Sequence, residues 1–520
     1  MKTSMERAAR ISEALAEGMA LLCAVFMLCA VPLLFNDAFF DINRFKVKAV
    51  ICVVPLLGIV WSACVLLGHE EERMPRVRGL RMPYICLSLL LIACIASCAM
   101  AGFAPHTLTG ENGRYCGLYF MLACGAAFFI ISSRRRVCDI LPAGVIGCGA
   151  CVSLLGVLNA LGVDPLNFYA QIRKGQEQVF MSTIGHFDFF GTFLVMIFGL
   201  CGGYAVLSER RVYPCAALAA SFSLALGMSA SRTDSAFLGM HLVCLALTAV
   251  SGGKLLYLGR ALLVWAGAML SLPAIHALLP MSPYGVKLSG LPLFLCESGI
   301  AAAAGTVMVI AGLLLFVCHR RGKAAPGRGL VLKIGIGLMI AGILGVLLLI
   351  VYFTCIAPDV KLGSAAFMLR FNDHWGSLRG FVYTRSLRAY SDFTTIEKLF
   401  GRGMETTLAT LQPYFDNPDM LVYGVFNDTH CQPLQMLLTC GALGMTAFIA
   451  LYASLLVTVG RHMKEDPLLC GVFASLIGYL VILAINVTQP ILISTYFSLS
   501  ALALGRIRTN RRKEVNACES

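Results

Sequence analysis

Charge is what this 520-residue chain has least of: Asp, Glu, Lys and Arg make up 13% of it, about half the ~25% usual in a soluble domain. With 58% hydrophobic residues and a mean hydropathy of +0.80, it cannot cover itself with a water-compatible surface. That excludes the string of soluble domains its length would suggest, and with it disorder, collagen and coiled coil. The glycine and histidine signatures of soluble enzymes are missing too. There is no G-x-x-x-x-G-K-[ST], so no visible means of hydrolysing ATP, and no H-E-x-x-H, G-x-S-x-G or Rossmann glycine pattern. Cysteine is plentiful at 22, but most of it lies in apolar runs, where it acts as a small hydrophobe. No cysteine-dense stretch implies a disulfide framework, and the lone Cys148-x-x-Cys151 pair reads as helix packing.

What the chain does have is a series of apolar runs. A spanning helix needs about 20 such residues, and charge-free stretches of that order occur at 18–36, 49–68, 84–103, 116–133, 141–162, 189–207, 212–230, 235–251, 261–279, 298–318, 334–355 and 432–458. A last run, 467–505, is broken by Asn486-Val487-Thr488-Gln489-Pro490 into two helices. The expectation is an all-α polytopic membrane protein of about fourteen transmembrane helices. The amino-terminal run resembles a signal peptide but lacks a clear small-x-small cleavage site, so it is kept as the first helix.

Charge bias orients these spans. With the amino terminus in the cytoplasm, 26 of the 41 Lys and Arg fall in cytoplasmic connections and 15 outside, seven of the latter in one long loop. Long loops cross largely regardless of charge, so both termini are expected in the cytoplasm. The net charge of +13 then reflects cytoplasmic anchors such as Arg134-Arg135-Arg136 and Arg511-Arg512-Lys513, which favour the anionic lipid bilayer rather than nucleic acid. Four regions follow: helices 1–11 in 1–355, an extracytoplasmic loop at 356–431, helices 12–14 in 432–506 and a basic cytoplasmic tail at 507–520.

Polar residues collect in three places. In the long loop, Gly376 to Phe400 has helical character and ends at Gly401-Arg402-Gly403; a second helical stretch runs from Met404 to Phe415, before Asp416-Asn417-Pro418. Its basic residues gather at 370–402, ahead of Glu405, Asp416, Asp419 and Asp428, and Trp375, Tyr383 and Tyr390 suit a membrane interface. The second place is Ser229-Ala230-Ser231-Arg232-Thr233-Asp234, a very short connection. An arginine there either serves function or pairs with Asp234 or snorkels to headgroups. The third is Ser182 to Asp188, where His186 and Asp188 are two candidate ligands, too few for a metal site; the favoured alternative is a cap for the next helix.

These residues carry a resemblance. Asn427-Asp428-Thr429-His430-Cys431-Gln432-Pro433, continuing to Gly441 and Gly444, is similar to the carboxy-terminal motif of the O-antigen ligase and O-antigen polymerase superfamily: a histidine, then G-x-x-G eleven residues on, at the start of a span. Arg379-Gly380-Phe381-Val382-Tyr383 with Lys398 to Gly403 resembles the family's arginine and aromatic run, Ser231-Arg232 its "SR", and Ser182 to Asp188 its asparagine-bearing segment. Cys431 stands where Asn, Ser or Gln is usual, and His186 and Asp188 where asparagines are common.

The resemblance implies a glycosyltransferase of the GT-C type in the bacterial cytoplasmic (inner) membrane, acting at its outer face. It would move a glycan from an undecaprenyl-diphosphate-linked donor to a hydroxyl on a glycan or lipid-linked acceptor, with no metal or cofactor. Catalytic roles fall to His430, Arg379 and Arg232; Arg385, Arg388, Arg402, His186 and Asp188 are the substrate-binding candidates. The chemistry agrees, because guanidinium forks match phosphate and histidine is a base near neutrality. The motifs do not separate ligase from polymerase. The rival class is a polysaccharide or lipid-linked oligosaccharide flippase, which fourteen spans would suit. Against it, the chain has no inverted repeat and no matched pair of broken helices. A bland scaffold would leave Arg232 and His430 without a task.

Overall fold

A computed structural model of the chain describes residues 2–37, 39, 41–68, 79–110, 114–134, 137–172, 175–210, 212–252, 254–323, 328–415, 426–464, 466–486 and 488–519. The protein is an all-α membrane protein, and its only described strands form one two-residue hairpin. In chain order its apolar helices are α1 (Arg7–Leu33), α2 (Ile42–Leu67), α3 (Arg81–Met100), α4 (Leu118–Ser132), α5 (Ile140–Ala160), α6 (Phe187–Leu207), α7 (Val212–Ser231), α8 (Asp234–Ser251), α9 (Leu255–Met281), α10 (Ile300–Arg320), α11 (Ile340–Ile356), α12 (Gln432–His462), α13 (Pro467–Ile485) and α14 (Pro490–Val515). Twelve are long and apolar enough to cross a membrane. Of the other two, α4 is shorter than the expected span at 116–133, and α11 is the last part of a helix that begins at Arg328 and covers the expected span at 334–355.

The apolar runs hide a division that period and length do not carry. Helices α6 and α14 are almost wholly enclosed by protein, while α2 and α10 turn Leu56, Ile59, Leu66, Val307 and Ile310 outward, as lipid-facing helices do. At the centre α6 crosses α13 at backbone contact distance. A Cβ on Gly203 would meet the Gly471 nitrogen at 2.3 Å, and one on Gly199 the Ser475 nitrogen at 2.5 Å. Small residues are what let membrane helices approach this closely.

Several charges counted in the connections are used inside the bundle. Lys46 is buried in α2 and donates to the Val31, Pro32 and Leu34 carbonyls, capping the end of α1. Arg134 is buried and ion-paired with Glu17 at 3.3 Å; Arg135 and Arg136 lie outside the described residues. Where α14 meets the tail, Arg506 bridges Asp139 and Asp466, and Arg508 donates to the Ser132 carbonyl and Tyr84 hydroxyl. The last helix continues through this tail to Glu519.

The long loop packs its own small core of Phe381, Val382, Ala389, Phe393 and Leu411 against Leu438 of α12. The helix expected over Gly376 to Phe400 is two, Trp375–Ser391 and Thr395–Phe400, the second opened by a Thr394–Glu397 capping box. Within the first, Gly376, Ser377 and Leu378 are all left-handed. A short helix, Thr407–Leu411, follows; Asp416 to Asp419 lie outside the described residues. Gly401-Arg402-Gly403 does end the helical stretch, and it also docks. Helix α12 breaks at Gly441 (φ +69°), and the Arg402 and Gly403 amides and the Ser97 hydroxyl donate to the Leu438 and Thr439 carbonyls before the break. A Cβ on Gly401 would lie 2.1 Å from the Thr439 oxygen, and one on Gly441 2.3 Å from the Leu399 oxygen. The glycine motif therefore locks loop to helix rather than helix to helix.

Candidate functional site

The turn before α12 holds His430 from every side. Asp428 Oδ1 accepts from the His430 amide at 2.8 Å and faces the imidazole Nδ1 at 3.2 Å, a local turn that aspartate favours. Asp428 Oδ2 accepts from Arg114 at 2.6 Å. The Tyr383 hydroxyl donates to the His430 carbonyl, and Gln435 accepts from the Thr429 amide while donating to Thr407. His430 itself is left-handed, at φ +50°, a conformation that costs energy and persists only where the surroundings impose it.

This geometry fixes the chemistry of the ring. The Asp428 carboxylate, 3.2 Å from Nδ1 though without a well-aligned hydrogen bond to it, favours the tautomer protonated there, and so leaves the lone pair on Nε2 of a side chain about one-third exposed. Burial pushes the His430 pKa down and the Asp428 charge opposes it; Arg379 and Arg114 add to the lowering, so the ring is neutral at neutral pH. Burial alone would raise Asp428, but Arg114, His430 and Arg379 together hold it below its ordinary value. The result is an Arg114–Asp428–His430 relay in which a fixed carboxylate orients an uncharged base.

Arg379 comes from the loop helix. Its Nε donates to the Ile485 carbonyl at the end of α13 (2.6 Å) and one amino nitrogen to the Gly376 carbonyl (2.5 Å), leaving the other amino group without a described partner. Its charge acts on His430, Asp428, Tyr383 and Asp234.

The 182–188 segment is the hairpin, pairing Phe180 with His186 and Met181 with Gly185. Ser182 and Thr183 pin its turn to the Val152 and Pro32 carbonyls. His186 caps α6, its Nδ1 accepting from the Asp188 amide at 3.3 Å, and it stacks on Phe187 at 4.4 Å. That bond puts the ring proton on Nε2. Burial lowers the His186 pKa; Asp188 opposes, His430 adds to the lowering and Asp428 opposes. The two histidines are thus neighbours of opposite function, one with Nε2 as acceptor and the other with Nε2–H as donor.

Arg232 approaches from the α7–α8 turn. It is left-handed at φ +60°, donates to the Gln178 carbonyl at 2.5 Å and lies 5.7 Å from the Phe187 ring centre, on the aromatic that also stacks on His186. Its Nε is buried without a partner, and burial lowers its pKa. Arg232 and Arg379 share no described partner. The other three arginines are engaged within the loop. Arg385 pairs with Asp373 (2.9 Å) and covers Phe381; Arg402 pairs with Glu397 (2.9 Å) and covers Phe393; Arg388 lies over Tyr414.

Sequence reasoning passed over two members. Arg114 enters the sequence reading only as the charge of an outer connection, and Asp428 only as one acid among four and as a letter of the His430 motif, with no role of its own; the Asp-x-His spacing at 428–430 is the signal for the second. Glu405 was missed as a buried group: burial pushes its carboxyl up to about 7, with Arg114 opposing. It lines, with Arg114, Gln432, Tyr479 and Tyr496, a cavity of about 60 Å³ beneath the relay, room for a few waters. Compared with protein-family models and with curated proteins, the chain matches none.

Proposed function

We propose that the protein transfers a glycan from an undecaprenyl-diphosphate donor to an acceptor hydroxyl, at the outer face of the bacterial cytoplasmic membrane. The observation that carries this is the relay ending in a neutral, half-open His430 beside an arginine with a spare amino group. In the reaction, the acceptor oxygen bonds the anomeric carbon as the carbon–oxygen bond to the diphosphate breaks. The hydroxyl proton passes to His430 Nε2, and the bonding electrons leave with the diphosphate. Asp428 steadies the imidazolium that forms, Arg379 faces the leaving group's charge, and the His186 Nε2–H is a donor for a sugar or phosphate oxygen.

The test is transfer by purified protein from a lipid-linked donor, with chelator present. Replacing His430 with Ala removes a base that typically contributes ~10²–10⁴-fold. Turnover should fall by that order while donor binding changes little. Wild-type turnover in that variant would make His430 structural and end this reading.

A further inference from the structure

A second cavity, of about 620 Å³, opens at the other end of the bundle, within the ~300–1,000 Å³ range of small-molecule sites. It is framed by the far ends of the helices that build the His430 site: Tyr204 of α6, Ser251 of α8, Lys464 after α12, and Asp466 before α13. Its two aspartates are already satisfied. Arg506 bridges Asp139 (2.8 Å) and Asp466 (2.7 Å), the Tyr204 hydroxyl donates to Asp139, and Asp466 also caps α13. Arg260 donates to the Val206 and Ser208 carbonyls, covering the end of α6, which would otherwise repel an anion.

Three lining cations are left over. Arg210, Lys254 and Lys464 are exposed, and none forms an ion pair among the described residues; Arg210 lies over the Tyr213 ring, and Lys254 over the Tyr257 ring while donating to its hydroxyl at 3.3 Å. Among the described residues the remaining lining carboxylate, Glu209, pairs with none of them. Arg506 offsets one of the two aspartate charges and Glu209 stays unpaired, so the three free cations still leave this ligand-sized cavity with a small positive excess, which favours negative charge. Charge bias assigns all four connections around it, 134–140, 208–211, 252–260 and 461–466, to the cytoplasm.

We propose that this cavity binds a phosphate-bearing anion, either a soluble phosphorylated molecule or the headgroup of an anionic lipid of the inner leaflet. The inference rests on the cavity and its charges and does not depend on the transfer reaction. The full chain in phosphatidylcholine nanodiscs is titrated with inorganic pyrophosphate. In parallel, discs containing phosphatidylglycerol are examined by native mass spectrometry for retained lipid. Saturable pyrophosphate binding identifies a soluble ligand, and retained phosphatidylglycerol without it a lipid. Arg210→Gln/Lys254→Gln/Lys464→Gln should weaken whichever is found by about tenfold or more, and Glu209→Gln, which breaks no ion pair, should tighten it. Arg320→Gln/Arg321→Gln, which removes cytoplasmic charge outside the cavity, should leave it unchanged. The proposal is overturned if neither probe binds, if the lining variants bind as wild type, or if the Arg320/Arg321 variant loses as much.

Discussion

Asp428→Asn isolates the electrostatic part of the relay from its geometry. The asparagine oxygen can still accept from the His430 amide, so the turn survives, but Arg114 loses its ion pair and the imidazole its anionic partner. Hydrogen bonds to charged groups contribute about 1.5–3 kcal/mol, which sets an expected loss of roughly 10- to 100-fold in kcat. The pH profile gives an independent sign. His430 works as a base only when unprotonated, so the rate climbs as pH rises through its pKa. Burial already lowers that pKa, and Asp428 is the main group raising it. Removing the carboxylate should therefore move the acid limb of kcat/KM to lower pH while the plateau drops. The assay is transfer from a lipid-linked donor across pH 4.5–8. A plateau at the wild-type level, or an acid limb displaced to higher pH, would refute the relay.

Arg379→Lys and Arg232→Lys keep the charge but lose the planar fork, and each should impair transfer without loss of folding by size exclusion; full activity in both would remove the arginines from the chemistry. A cysteine placed at Ser391, exposed at the end of the first loop helix, should react with an impermeant maleimide in intact cells whose accessible native thiols have been removed. Labelling only after lysis would put the loop on the cytoplasmic side. Glu405 titrates near 7 when folded and at about 4.5 in the unfolded chain, so folding takes up a proton and stability falls as pH rises between those values, by about 3 kcal/mol at most. Glu405→Gln should thus raise the thermal midpoint at pH 8.5 and leave it nearly unchanged at pH 4.5; equal shifts at both would argue against a buried, proton-binding carboxyl.

The helices were legible because a membrane demands long apolar runs, and the break at 486–490 because proline and asparagine interrupt one. Hydropathy could not rank the helices. The enclosed α6 and the lipid-facing α2 are both simply apolar, and only Gly199, Gly203 and Gly471 reveal which pair crosses closely. In the loop, three left-handed residues at 376–378 are a tertiary outcome, since Ser377 and Leu378 have no local preference for that conformation. Arg114 was out of reach for a different reason. It meets Asp428 across 314 positions of chain, and a lone arginine in a short connection has no pattern to announce it.

The composition of the site suggests how one neutral base could answer to substrate. Arg114 and Arg379 act on His430 against Asp428 and Asp188, so the opposing charges largely offset while burial keeps both histidines uncharged. A diphosphate entering such a site upsets the balance in one direction. One added negative charge ~6 Å from an imidazole, at an effective dielectric of ~20, favours its protonated form by about 3 kcal/mol, or about two pK units. His430 would then be a weak base in the empty site and a stronger one once the donor is bound, strongest as charge builds on the leaving group. Proton uptake would follow glycosyl–phosphate cleavage instead of preceding it. On the proposed reaction, that order would account for aspartates kept beside the arginines: a surplus of cations would bind the diphosphate more tightly, but it would hold His430 too acidic to take the acceptor's proton.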